Sequence, residues 1–258
     1  MFRGLLSFLA LTLCVGSFAL IANGKARVAA SSPSAEALAA RTRVMLIGDS
    51  LSVGAFGEAV QQHLASRLGP QNVMAFASCG SSPENWLADQ PSFYTPCGYR
   101  EVTPDRPPIY RDFNNGHKPR KALTPKVEGL VRRYRPSVVV VQQGTNWMDR
   151  DLSDAQIASF TDRFIRAARA PGVRQIIWIE PPDSSALRKR QDRIHRLIQA
   201  AARRDNFEVI DSRELTHYVP GKTGGDGIHY NTESSRAWAA KLNPLLDLRL
   251  RSRLATAR

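Results

Sequence analysis

The sequence predicts a three-layer α/β/α sandwich around a five-stranded parallel sheet. Three observations carry that expectation. Short β-branched runs recur along the chain, amphipathic stretches separate them, and the runs are almost continuously apolar, as in strands covered on both faces. Strand–helix alternation of this kind implies right-handed crossovers, with helices on both sides of the sheet.

The first element belongs to targeting rather than to the fold. Arg3 precedes an apolar run over 5–22, broken only by Ser7, Thr12, Gly16 and Ser17. Small-residue exits follow at Ala22-Asn23-Gly24 and Val28-Ala29-Ala30. A basic start, an apolar centre and such exits describe a signal peptide over 1–30 and predict export to the periplasm or beyond the cell. A run of this length also stands at the lower edge of what spans a bilayer, so an uncleaved anchor through 5–22 is the alternative. Lys25 and Arg27 blur its orientation, and Leu13 occupies the place where a lipoprotein signal around Cys14 would need a small residue. Residues 31–42 read as a linker, 43–250 as the folded domain and 251–258 as a basic tail.

Within the domain the strand candidates are 44–48 (VMLIG), 73–77 (VMAFA), 138–142 (VVVVQ), 175–180 (QIIWIE) and 207–211 (FEVID). Helical patterns lie at about 54–69, 121–135, 154–170, 185–204 and 232–250. One segment breaks the rhythm. Residues 91–125 hold seven of the 16 prolines and predict an irregular insertion, either bordering the active site or merely decorating the surface.

Parallel sheets offer their ligand sites at the carboxyl ends of the strands. The first strand ends in Gly48-Asp49-Ser50-Leu51-Ser52, which delivers a serine hydroxyl and its N–H at a strand-to-helix turn. After the second comes Gly80, whose N–H no side chain shields. After the third comes Gly144-Thr145-Asn146, where the Asn146 amide supplies two N–H donors. After the fifth comes Gly225-Asp226-Gly227-Ile228-His229, with acid and imidazole three residues apart. A serine hydroxyl needs a base to become a nucleophile, and the imidazole needs an acid to orient it. Ser50, His229 and Asp226 fill those roles. The N–H of Ser50, the N–H of Gly80 and the amide of Asn146 are candidates for an oxyanion hole.

GDSLS near the start, a glycine after the second strand, GTN after the third and DGIH near the end resemble the SGNH/GDSL hydrolases. The resemblance spans residues 43 to about 250. It places that family's nucleophile on Ser50, its oxyanion residues on Gly80 and Asn146, and its acid and histidine on Asp226 and His229. It implies a flavodoxin-like fold and esterase, lipase, thioesterase or deacetylase activity without cofactor or metal. Many members have an acid after the asparagine, whereas this chain has Trp147, a difference expected to bear on pocket shape.

Other patterns carry less. Pro220-Gly221-Lys222-Thr223 lacks the earlier glycine of a phosphate loop. His63, His117, His195 and His217 lack a partner set comparable to that of His229 and are expected to be surface or core residues, and no metal-ligand spacing is present. Cys79 and Cys97 form a bridge behind Gly80 in an oxidising compartment, or stay as two buried thiols. Lys and Arg exceed Asp and Glu by 13, and loss of residues 1–30 leaves +10. Such a surface suits an acidic polysaccharide or anionic lipid; the chain has no nucleic-acid-binding motif, and a membrane contact is expected only if 5–22 stays attached.

The expected activity is therefore exported serine esterase chemistry that removes small acyl groups, acetyl above all, from a carbohydrate or cell-wall polymer. A lipase or lysophospholipase, a thioesterase and an acyltransferase to sugar hydroxyls share the same acyl-enzyme. A non-catalytic binding module on this fold is the distant alternative.

Overall fold

The computed structural model describes residues 42–112 and 122–256. The targeting segment 1–30, with its anchor alternative and Cys14, the linker up to residue 41, His117 and residues 257–258 lie outside the described residues.

Five parallel strands form the centre: β1 (Val44–Gly48), β2 (Val73–Ser78), β7 (Val138–Gln142), β8 (Gln175–Ile179) and β9 (Glu208–Ile210). The sheet has seven strands, not five. A hairpin of β4 (Gly98–Thr103) and β5 (Arg106–Asp112) adds antiparallel to the free edge of β2, giving the order β5-β4-β2-β1-β7-β8-β9. Two short strands, β3 (Tyr94–Thr95) and β6 (Ala122–Leu123), pair separately.

The 91–125 segment is thus largely built into sheet structure, against the expectation of an irregular insertion. The physical reason is that its strands hide their pattern. On β4 the buried positions include Arg100 and Glu101, which hydropathy scores as exposed. Each is partnered: Arg100 Nη2 donates to Gln61 Oε1 at 2.9 Å, and Glu101 accepts from Tyr99 OH at 2.7 Å and pairs with Arg106. On β5, Pro107 and Pro108 lack the N–H that a central strand needs, and the sheet tolerates them because β5 is the edge.

The helices are α1 (Ser50–Val53), α2 (Ala55–Leu68), α3 (Val127–Tyr134), α4 (Asp154–Ala168), α5 (Arg188–Asp205) and α6 (Thr232–Thr256). Helix α3 begins six residues later than expected, because β6 and Pro125 precede it. Helix α6 continues through the first part of the predicted tail. No described helix is long and apolar enough to cross a membrane.

Alternation along the strands makes two cores. Met45, Ile47, Val139, Val141 and Trp178 face α3, α4 and α5 through Val131, Phe164 and Ile198. Val44, Val138, Val140, Ile177 and Ile179 face α2 and α6 through Phe56, Leu64, Trp238 and Leu246. The Phe56 and Trp238 rings stack with centroids 3.4 Å apart, so α6 lies directly on α2. That contact packs α6, which begins three residues after His229, against the helix next to the Ser50 turn.

Candidate active site

The turn after β1 is shaped residue by residue. A Cβ on Gly48 would come within 2.2 Å of Ser52 Cβ, so only glycine lets the chain bend this sharply from strand to helix. Asp49 caps the turn: its Oδ1 accepts from Leu51 N at 3.0 Å. Its carboxyl is fully buried, and burial pushes it up to about 6 against the opposing hydrogen bond from Leu51. Ser52 Oγ donates to Gln142 Oε1 at 2.7 Å, tying the turn to the end of β7. Ser50 is therefore the first residue of α1, in the turn where backbone N–H groups have no partner within the helix.

Across the cleft, the hydroxyl of Ser50 lies 3.0 Å from His229 Nε2, and His229 Nδ1 lies 2.6 Å from Asp226 Oδ2. The second oxygen of Asp226 accepts from the N–H groups of Ile228 (2.9 Å) and His229 (2.7 Å), which curls the loop around the acid. Partial burial pushes the Asp226 carboxyl upward, but the hydrogen bonds from the His229 ring and from these two N–H groups outweigh it and hold the acid below its ordinary value. Both side chains are about half exposed, 49% for His229 and 52% for Asp226, so this end of the site opens to bulk solvent.

Gly80 and Asn146 follow β2 and β7, the two strands that flank β1. Gly80 has φ +79°, and a Cβ there would meet Pro96 at 3.3 Å and Phe93 at 3.7 Å. The Cys79–Cys97 disulfide, with Cα atoms 5.4 Å apart, closes the loop that brings Pro96 against it. Thr95 Oγ1 reaches Cys79 O at 2.9 Å and Gly98 O at 2.8 Å from within the same loop. Asn146 Nδ2 donates to Ser81 O at 2.8 Å, which clips the asparagine to the turn that carries Gly80 and leaves its second N–H for another acceptor.

Trp147 corrects an expectation. It is fully buried, donates from Nε1 to Glu84 Oε2 at 2.9 Å and stacks near Trp178, so it shapes the core and not a substrate pocket. Glu84 in turn pairs with Arg150.

The other described histidines do have acidic partners, contrary to the sequence reading. His63 Nε2 meets Asp247 at 3.0 Å and His217 Nδ1 lies 3.5 Å from Asp183. His195 Nδ1 lies 2.8 Å from Glu180 Oε2 and 3.6 Å from Asp211. Burial, then the charge of Asp211, pushes Glu180 up to about 8. Burial, then Arg213, lowers His195. Glu180, His195 and Asp211 bring ligand-type atoms within 4.8 Å of one another, a cluster assembled from β8, α5 and the end of β9 that linear spacing could not reveal. Two of its three members are engaged: Arg213 binds both Asp211 oxygens, at 2.9 and 2.7 Å, and the imidazole lies against Glu180 Oε2, while Glu180 Oε1 is buried without a hydrogen-bond partner. We read it as a charge network.

A parallel-centred α/β/α sandwich with serine, imidazole and carboxylate in hydrogen-bonded series at its carboxyl edge has the form of a serine-dependent acyl-group enzyme. The sequence pattern of the GDSL-like lipase/acylhydrolase family matches residues 44–242, and the chain belongs to that family and hydrolyses ester bonds. Solved structures share the fold at low identity. A lipase/acylhydrolase from Enterococcus faecalis is 17% identical, with 81% of this chain and 97% of that one covered, at a TM-score of 0.52. An acetyl esterase mutant with acetate ion is 14% identical over 82% and 99%, at 0.56. A peptidoglycan O-acetylesterase is 13% identical over 82% and 92%, at 0.53. No curated protein sequence matches the chain.

Proposed function

We propose that the protein is an exported serine esterase that removes acetyl groups from a carbohydrate or cell-wall polymer through an acyl-enzyme on Ser50. The observation that carries the reading is the unbroken series from Ser50 Oγ through His229 to Asp226, at 3.0 and 2.6 Å. In the first step Ser50 Oγ bonds to the ester carbonyl carbon while its proton passes to His229 Nε2. Asp226 accepts from Nδ1–H and stabilises the imidazolium. The oxyanion receives hydrogen bonds from the N–H of Ser50, the N–H of Gly80 and the Asn146 amide. As the intermediate collapses, the C–O bond to the alcohol breaks and the imidazolium returns the proton to the departing oxygen. Water then repeats the sequence on the acyl-enzyme, releasing the acid and restoring Ser50.

Three features support the substrate class. Acetyl-releasing enzymes are among the structures that share the fold. The half-exposed imidazole leaves room for an alcohol that is part of a polymer. The basic net charge, +13 for the whole chain and +10 without residues 1–30, attracts acidic chains. For export, the supports are the segment 1–30 and the Cys79–Cys97 bridge, a bond that persists in oxidising compartments.

The test is an acyl-chain series of p-nitrophenyl esters, together with acetate release from O-acetylated polysaccharide and peptidoglycan. The acetyl ester is expected to give the highest kcat/KM, and Ser50→Ala is expected to lower kcat by more than about 10³-fold and abolish fluorophosphonate labelling. Preference for long acyl chains would turn the assignment to a lipase. Acyl transfer to an added sugar in place of hydrolysis would turn it to a transferase.

A further inference from the structure

The loop that carries Asp226 and His229 is held by residues outside every motif. Gly227, between the two, has both backbone polar groups engaged. Its N–H donates to Tyr218 OH at 2.9 Å, and its carbonyl accepts from Ser184 Oγ at 2.7 Å and from Ala186 N at 3.3 Å. The Tyr218 hydroxyl uses its own proton on His229 O at 3.3 Å, so one oxygen bridges the residues on either side of Ile228. Tyr218 and Ser184 are each only 2% exposed, which leaves no water to replace these bonds.

The two holders are themselves fixed. Tyr218 N donates to Asp183 Oδ2 at 2.8 Å, and Tyr230 OH donates to Asp183 O at 2.7 Å. The rings of Tyr218 and Tyr230 meet edge to face at 5.4 Å. The loop has no slack: with φ +82°, a Cβ on Gly227 would come within 2.7 Å of Ala186 Cβ. A Cβ on Gly224 would strike His229 O and the Tyr218 hydroxyl at 1.9 and 2.5 Å. The segment after β8 and Tyr218 therefore form a cradle whose contents are the backbone of the acid–imidazole loop.

We propose that Tyr218 and Ser184 are positioning residues for the esterase reaction: by pinning Gly227 and His229 O they hold the imidazole in line with Ser50. The inference rests on the catalytic roles proposed above. Both side chains are buried and bond to the loop backbone, so their loss is expected to act on turnover. A displacement of the imidazole by about an ångström is enough to cost up to about 10²-fold in rate.

The experiment compares kcat and KM for p-nitrophenyl acetate, the rate of fluorophosphonate labelling and Tm in full-length Tyr218→Phe and Ser184→Ala. Ile157→Val, on the buried face of α4 away from this loop, serves as a control for lost stability alone. Each positioning variant is expected to lower kcat and the labelling rate about tenfold, with KM within about twofold of the parent. Ile157→Val is expected to lose Tm and keep its kcat. Parental kcat in both positioning variants, or an equal fall in Ile157→Val at matched Tm loss, would overturn the assignment. An unreactive parent protein would overturn the catalytic roles and this assignment together, whereas a reactive parent with equally reactive variants overturns this one alone.

Discussion

Asn146 and the Tyr218–Ser184 pair stand at opposite ends of what single residues disclose. The asparagine stands out in the sequence because its GTN turn directly follows β7, a strand that flanks β1. In the fold one of its N–H groups is committed to Ser81 O. Asn146→Ala therefore removes both a donor and a clip on the Gly80 turn. It is expected to lower kcat by about 10²- to 10³-fold with little change in KM, measured on p-nitrophenyl acetate. A variant that changes KM alone would place Asn146 in substrate binding instead. Tyr218 and Ser184 gave no signal, because a lone tyrosine and a lone serine in loops are common and only the folded distances single them out. His195 was misread for the same reason: its acid partners lie 15 and 16 positions away.

At the scale of elements, the five parallel strands were readable because burial on both faces demands unbroken apolar runs. The β4–β5 hairpin was not, because paired Arg100 and Glu101 occupy buried positions and two prolines mark the edge. Yet that hairpin matters to the site, since Gly98 at its start accepts from Cys79 N at 2.9 Å and Cys97 precedes it. Replacing both cysteines, Cys79→Ser with Cys97→Ser, should cost roughly 3 kcal/mol in urea unfolding for a loop of this length. It should also lower kcat, because Pro96 is no longer held against Gly80. Lost stability with parental kcat would mean that the bridge supports the fold and does nothing for the oxyanion turn.

The whole molecule responds to pH through carboxyls far from the chemistry. Glu180, pushed up to about 8, binds its proton more tightly in the folded chain than in the unfolded one. Its favourable contribution is complete below the ordinary carboxyl range near 4.5 and is lost as pH rises towards 8. Glu180→Gln removes that loss. Thermal melts between about pH 5 and about pH 8 should show the variant gaining on the parent as pH climbs. A constant difference in Tm would show that Glu180 does not titrate in this range. Asp226 has the opposite sign: its lowered carboxyl supports the fold above its ordinary range and ceases to do so in strong acid.

The hydroxyl and the imidazole that meet over the sheet are separated by 179 positions. A ribosome therefore makes the nucleophile long before its base. Fluorophosphonate labelling is expected to mark chains that extend through His229 and the helix whose Trp238 stacks on Phe56, and to leave chains cut short of them dark.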